Sequence, residues 1–277
     1  MDKKINIKIL KEKSKNLRVK ILETIFNSKT GHIGGSLSVV EILVSIYYSK
    51  IFRIGPKNIK DKKRDRVIVS KGHCTAAFYS MLSDLGFIKE KELDTYCKNN
   101  TRLGGHLSVK VPGVEIESGS LGHGLSVAAG MAWAGKMNNE KHKVIVIISD
   151  AELYEGSVWE ALIFISHHKL INLIIILDRN YQIVMGRTES LLKLEPLDKK
   201  LQSFNYNVKK INGNNLSEVL NVLEKFKNKN STKPIFIIAE TKKGKGVNFM
   251  ENTLKWHHSI PNLKEFKDAM KNIKNEK

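Results

Sequence analysis

The chain is 277 residues long, 41% hydrophobic and 27% charged, which excludes a wholly disordered, collagen-like or coiled-coil protein. Lys and Arg number 47 against 28 Asp and Glu, a net charge of +19. The lysines are nevertheless spread over the whole length, and the sparse aromatics (7%) do not interleave with them, so a nucleic-acid stacking platform is not expected; a solvated Lys/Asn-rich surface is, with a positive field that would still attract phosphorylated substrates.

The N-terminal MDKKINIKILKEKSKN is charged and lacks an apolar core, so it does not read as a secretory signal. Residues Ile5 to Ser28 carry helically spaced apolar positions (Leu17, Ile21, Leu22, Ile25) that stop before Gly31. Leu37 to Tyr48 predicts a second helix with Ser36 as a plausible cap. Arg66 to Val69 predicts a short strand ending at SKGH, and Thr75 to Leu85 returns to helix. Gly119 to Gly124 opens another helix, running to about Met137. The apolar runs VIVII (Val144–Ile148) and LIIIL (Leu173–Leu177) predict strands covered on both faces, with a helix over Glu155 to His168 between them. A shorter strand at Val208–Ile211, a helix at Leu216–Phe226 and a core strand at Pro234–Ala239 complete the pattern.

Alternating elements of this length imply an α/β fold, a parallel sheet with helices on both faces, as one domain over residues 1–277. The apolar stretch Leu170–Leu177 is interrupted by Asn172 and is far too short for a membrane span. Two cysteines, Cys74 and Cys97, make no disulfide framework; with no signal and no span, a cytoplasmic location is expected.

In parallel sheets ligands sit at the carboxyl ends of strands. There this chain places SKGH (Ser70–His73), Asp150-Ala151 with Glu155 a turn later, Asp178-Arg179-Asn180, and KKGKG (Lys242–Gly246) followed by Trp256-His257-His258. Asp150 and Asn180 are one strand–helix–strand unit apart. Together they offer a carboxylate and an amide oxygen suited to Mg²⁺ or Ca²⁺, with phosphate beside a helix N-terminus. The plainer alternative is a helix cap and a turn. His32, His73, His106 and His257 lie in loops that could converge; singly each reads as a packing or surface residue, together as hydrogen-bonding or proton-moving groups. No zinc spacing, G-x-G-x-x-G fingerprint or Walker A loop occurs.

The ordered motifs GHIGGSLS (Gly31–Ser38), SKGH, GGH (Gly104–His106), PGVEIESGSLGHGLS (Pro112–Ser126), SDAELYEGSVWEA (Ser149–Ala161), DRN and KGKGVNFMEN…WH (Lys243–His257) resemble the thiamine-diphosphate-binding half of a transketolase, most closely the N-terminal subunit of the two-chain form. The resemblance implies that Asp150, Asn180 and the carbonyl of Gln182 hold Mg²⁺ or Ca²⁺ against the diphosphate, which the Ala151 amide also contacts. It implies that His73 and His257 touch cofactor and substrate, that His32 and His106 contact the donor ketose, and that Gly119 and Leu121 lie against the cofactor rings. Glu155 matches a carboxylate of the network linking two active sites across a dimer. Two departures stand out. Ser149-Asp150-Ala151 replaces the usual Gly-Asp-Gly, adding a Cβ near the diphosphate, and His258 replaces the usual Gly.

The implied activity is transfer of a two-carbon ketol unit between sugar phosphates. The implied partner is a separate C-terminal chain supplying the pyrimidine-binding half, in an α2β2 assembly or around a homodimer of this chain. Two alternatives remain open on the residues. One is a component of another thiamine-diphosphate enzyme, a 2-oxo-acid dehydrogenase α chain or a 1-deoxyxylulose-5-phosphate synthase fragment. The other is a non-catalytic basic binding protein that keeps the fold.

Overall fold

The computed structural model describes residues 6–228 and 231–275. Among them, β1 (Arg66–Val69), β2 (Val144–Ser149), β3 (Leu173–Arg179), β4 (Asn207–Asn212) and β5 (Ile235–Glu240) form one parallel sheet in the order β1-β2-β3-β5-β4. The helices are α1 (Ile7–Ser28), α2 (Ile33–Ser38), α3 (Val40–Tyr47), α4 (Thr75–Asp84), α5 (His123–Met137), α6 (Gly156–His167), α7 (Thr188–Leu191), α8 (Leu197–Ser203), α9 (Leu216–Asn228) and α10 (Leu263–Asn275).

The continuous apolar strands follow from burial on both faces. Val67, Val69, Ile145, Ile147, Ile174, Ile176 and Ile237 enter a core shared with α1, α3, α4, α9 and α10. Their neighbours Ile68, Val146, Ile148, Ile175, Leu177 and Ile238 enter a second core under α5, α6 and α8. Because side chains alternate across a strand, a sheet covered twice needs apolar residues at every position. β1 and β4 are the two edge strands, and the exposed Lys209 and Lys210 of β4 discourage pairing with another edge. No helix among the described residues is long and apolar enough to cross a membrane.

Several boundaries differ from the sequence expectations. The first helix begins at Ile7, with Asn6 capping through its side chain to the Ile9 amide (3.3 Å); Ile5 lies outside the described residues. The helix expected from Leu37 starts at Ile33 and is broken at Val39 into α2 and α3, so Ser36 is buried inside α2 rather than capping it. Two glycines weaken local helix preference there. Close packing overrides it: a Cβ on Gly34 would lie 2.7 Å from the Trp256 carbonyl oxygen, and one on Gly35 3.0 Å from the His73 ring. The helix expected from Gly119 begins only at His123, and the one expected from Glu155 at Gly156, after a 3₁₀ turn over Asp150–Tyr154. The short α7 and α8 and the terminal α10 were not anticipated.

Candidate active site

The β2/β3 register pairs Ser149 with Asp178, so Asp150 and Asn180 leave neighbouring strands side by side. One Asp150 oxygen accepts from the Asn180 and Tyr181 amides (3.0 and 2.7 Å); the other accepts from the Arg179 guanidinium (2.9 Å). The Asn180 side-chain oxygen accepts from the Gln182 amide (3.2 Å). Burial raises the Asp150 carboxyl to about 6, although Arg179 beside it opposes the shift. That guanidinium also reaches Glu189 (2.7 Å) and Glu195 (3.0 Å), so three carboxylates share one positive charge.

These residues fit a divalent cation. Asp150, Asn180 and the Gln182 carbonyl are hard oxygen donors drawn together at one strand end. The Lys243 ammonium lies 3.3 Å from that carbonyl, a cation already placed against the set, and the buried Gln182 side-chain oxygen has no hydrogen-bond partner. No group of three or more His, Cys, Asp or Glu residues that could hold a metal occurs among the described residues. One carboxylate, one amide oxygen and one backbone carbonyl would leave the remaining positions of such a cation to an anionic ligand.

Beside these oxygens lies a cavity of about 550 Å³. Its walls include His32, His73, His106 and His257, with Gly119, Leu121, Ala151 and Glu155, so eight of the residues singled out in the sequence share one space. Ring centroids of His32 lie 5.7, 6.5 and 5.4 Å from those of His73, His106 and His257. Gly119 (φ +126°) lets its loop pass the His106 ring, where a Cβ would come within 2.9 Å. Asp150, Asn180 and Gln182 sit next to this space rather than in its lining.

Three of these imidazoles, those of His32, His73 and His257, are held neutral. Burial pushes His32 down to about 4, helped by the nearby His258 and His106. Burial also lowers His257 to about 3 with Lys243 against it, and holds His73 well below the usual imidazole range. Lys243 meets the His257 Nδ1 at 2.7 Å and is itself lowered by burial to about 8. Beneath them Lys71, fully buried, donates to the Gly35 carbonyl (2.7 Å) and to Ser38 (3.0 Å) and pairs with Asp178, which also accepts from Ser38 and Thr241. Cys74, three residues on, is buried, its thiol donates to the Lys71 carbonyl (3.1 Å), and burial pushes that thiol up to about 12.

Sequence reasoning missed the residue that joins these loops. Glu152 is fully buried and accepts from the Ser149 amide (2.8 Å), the Ser149 hydroxyl (3.1 Å), the Gly122 amide (3.3 Å) and the Ser70 hydroxyl. Ser70 in turn accepts from the Gly124 amide (3.0 Å). One carboxylate therefore holds the ends of β1 and β2 and the turn that opens α5 in register. The signal was present, since S-x-x-E at Ser149–Glu152 is a capping box. Lys71, Lys243 and an apolar lip of Ile183, Val184, Met185, Leu191 and Leu192 were also missed. His258, noted only as a departure, sits with its ring 4.5 Å from that of His32. Ser149 and Ala151 are accommodated: the serine anchors the capping box, and Ala151 sits in the right-handed 3₁₀ turn without positive φ.

Residues 9–275 match the family model described as transketolase, thiamine diphosphate binding domain. The chain is 37% identical over 269 residues to one of the named subunits of the apulose-4-phosphate transketolase of Phocaeicola vulgatus, covering 97% of this chain and 95% of that protein. It is 35% identical to the 6-deoxy-6-sulfo-D-fructose transketolase subunit SqwG of a Clostridium species, covering 96% and 97%. Transketolase from Campylobacter jejuni superposes with a TM-score of 0.89 at 31% identity, over 97% of this chain and 43% of that one. The chain thus spans less than half of that solved protein.

Proposed function

Since this chain belongs to the transketolase family and carries its thiamine-diphosphate-binding domain, we propose that it is the diphosphate-holding subunit of a two-chain transketolase that moves a two-carbon ketol unit from a ketose phosphate to an aldose phosphate. Relatives of matching length that are themselves named as transketolase subunits, and the 43% coverage of a solved transketolase, support a C-terminal partner chain that brings the pyrimidine-binding half. An α2β2 assembly, or the partner arranged around a homodimer of this chain, in the cytoplasm, belongs to the same reading. The relatives' names, apulose 4-phosphate and 6-deoxy-6-sulfo-D-fructose, favour a specialised ketose with an anionic terminus as donor.

When bound, thiamine diphosphate supplies the carbon nucleophile and the electron sink for breaking the ketose C2–C3 bond. Asp150, Asn180 and the Gln182 carbonyl would hold Mg²⁺ or Ca²⁺ against its diphosphate, with the Ala151 amide as a further donor. Gly119 and Leu121 would flank its rings. His32 and His106 would bind the hydroxyls beside the reacting carbons. Because His32, His73 and His257 are neutral at pH 7, His32 and His73 each have one nitrogen that can accept a hydroxyl proton and one that can donate, while His257, its Nδ1 taken by Lys243, keeps Nε2 as a donor. Glu155, exposed at the rim, would face another protomer in that assembly.

The observation that carries this reading is the cluster of four histidines around one cavity beside Asp150 and Asn180. Four histidines suit the hydroxyls of a sugar better than the short carbon chain of a 2-oxo acid. The test is to assay the purified chain, with and without its pyrimidine-binding partner, using xylulose 5-phosphate or apulose 4-phosphate with ribose 5-phosphate, and separately pyruvate. Ketol transfer is expected only in the mixture, and none from pyruvate. Robust transfer by the chain alone would overturn the two-chain reading, and turnover of pyruvate would overturn the substrate class.

A further inference from the structure

A second cavity, also of about 550 Å³, lies between the first half of α1, the turn from β4 into α9 and the Lys242–Gly246 loop. Nothing in the transketolase chemistry above uses it. Its size suits a small ligand, and its walls are polar and basic.

Lys8, Lys11 and Lys15 fall on one stripe of α1, and Lys245 faces them from the glycine-spaced loop. The N-terminus of α9, which carries the positive end of its dipole, borders the same space through Leu216 and Ser217. Two carboxylates offset this in part, Glu218 in the first turn of α9 and Glu251 at 3.9 Å from Lys245, and neither lines the cavity. Glu41 is engaged by the buried Arg18 at 2.7 Å, leaving Glu12 as the other carboxylate in the lining. Lys8 and Lys11 have no carboxylate partner among the described residues. Like charges gathered around a concave space raise its potential, and an anion bound there relieves the repulsion. A second observation agrees: Ser14 projects into the same wall, 3% exposed, and its hydroxyl has no hydrogen-bond partner. A buried hydroxyl left unpaired is costly, and a ligand oxygen would satisfy it.

The cavity is also tied to the histidine site. Arg18 donates from Nε to the Lys245 carbonyl (3.0 Å), and Asn214 joins the Lys242 amide (2.8 Å), the Ser38 carbonyl (3.2 Å) and Glu41 (3.0 Å). The same loop therefore sends Lys245 into this cavity and Lys243 against His257.

We propose that this cavity is a second anion site, separate from the histidine cavity, that binds the phosphoryl group of a small phosphorylated metabolite. The test titrates the purified full-length chain with inorganic phosphate at low ionic strength, by calorimetry. Parallel titrations use Lys8→Gln/Lys11→Gln, Lys11→Arg and His32→Gln/His257→Gln, each checked for folding by circular dichroism. Saturable binding is expected in the wild type. It should weaken about tenfold in the double lysine variant, where two cations of the lining are lost, and persist in Lys11→Arg and in the histidine variant. The proposal is overturned if the wild type shows no saturable binding, if the double lysine variant binds as the wild type does, or if the histidine variant loses the binding instead.

Discussion

Replacing Glu152 by Gln changes one atom in the group that holds three loops together. The glutamine oxygen can keep the two donors of Ser149, its amide and its hydroxyl. Its NH₂ then stands where an acceptor stood, opposite the Ser70 hydroxyl and the Gly122 amide. The hydroxyl can rotate and accept; the Gly122 N–H cannot, and is left unpaired in a buried place. One orphaned amide and the loss of charge-assisted bonds cost about 2 kcal/mol. The figure is no larger because burial already raises the Glu152 carboxyl, so a neutral amide recovers part of that desolvation. Glu152→Ala strips every acceptor and leaves a void, for about 4 kcal/mol. Urea unfolding at pH 7, followed by circular dichroism, gives both values. The reasoning fails if Glu152→Gln lies within about 0.5 kcal/mol of the wild type, or if Ala is no worse than Gln.

The histidines predict a pH dependence. His32 titrates near 6.5 when unfolded and near 4 when folded, so its contribution is complete above pH 6.5 and is lost as the pH falls toward 4. Discounted for its partial exposure, this is about 2 kcal/mol. Urea unfolding at pH 7 and 4.5 should show a smaller loss in His32→Gln than in the wild type; equal losses would contradict the assignment. Lys71→Met leaves Asp178 buried without its ion-pair partner and should cost about 3–5 kcal/mol, most of it regained in Lys71→Met/Asp178→Asn. A single variant as stable as the wild type would show that the pair does not hold the cavity floor.

Much of this was legible in the sequence because strands buried on both faces leave a continuous apolar trace. VIVII and LIIIL marked two neighbouring strands, and their spacing alone placed Asp150 beside Asn180. The loop histidines converge because each follows, or packs against, a carboxyl end of the same sheet. What escaped depends on contacts between distant segments. Lysine reads as a surface residue, so the burial of Lys71 and Lys243 was invisible without Asp178 and His257 beside them. The start of α2 at Ile33 rather than Leu37 goes with the close packing of Gly34 and Gly35 against Trp256 and His73, which no local propensity reports. α10 buries little more than Ala269 and Ile273, too thin a stripe to stand out among its lysines.

Cys74, sealed beneath the histidine loop at the start of α4, also offers a clock. With its thiol displaced to about 12, the closed protein offers almost no thiolate at neutral pH, and a disulfide reagent has no path to the sulfur. Modification must wait for the SKGH segment to lift away from the sheet. Cys97, half-buried, reacts on its own schedule, so the slower of two labelling phases times how often the floor of the histidine cavity comes apart.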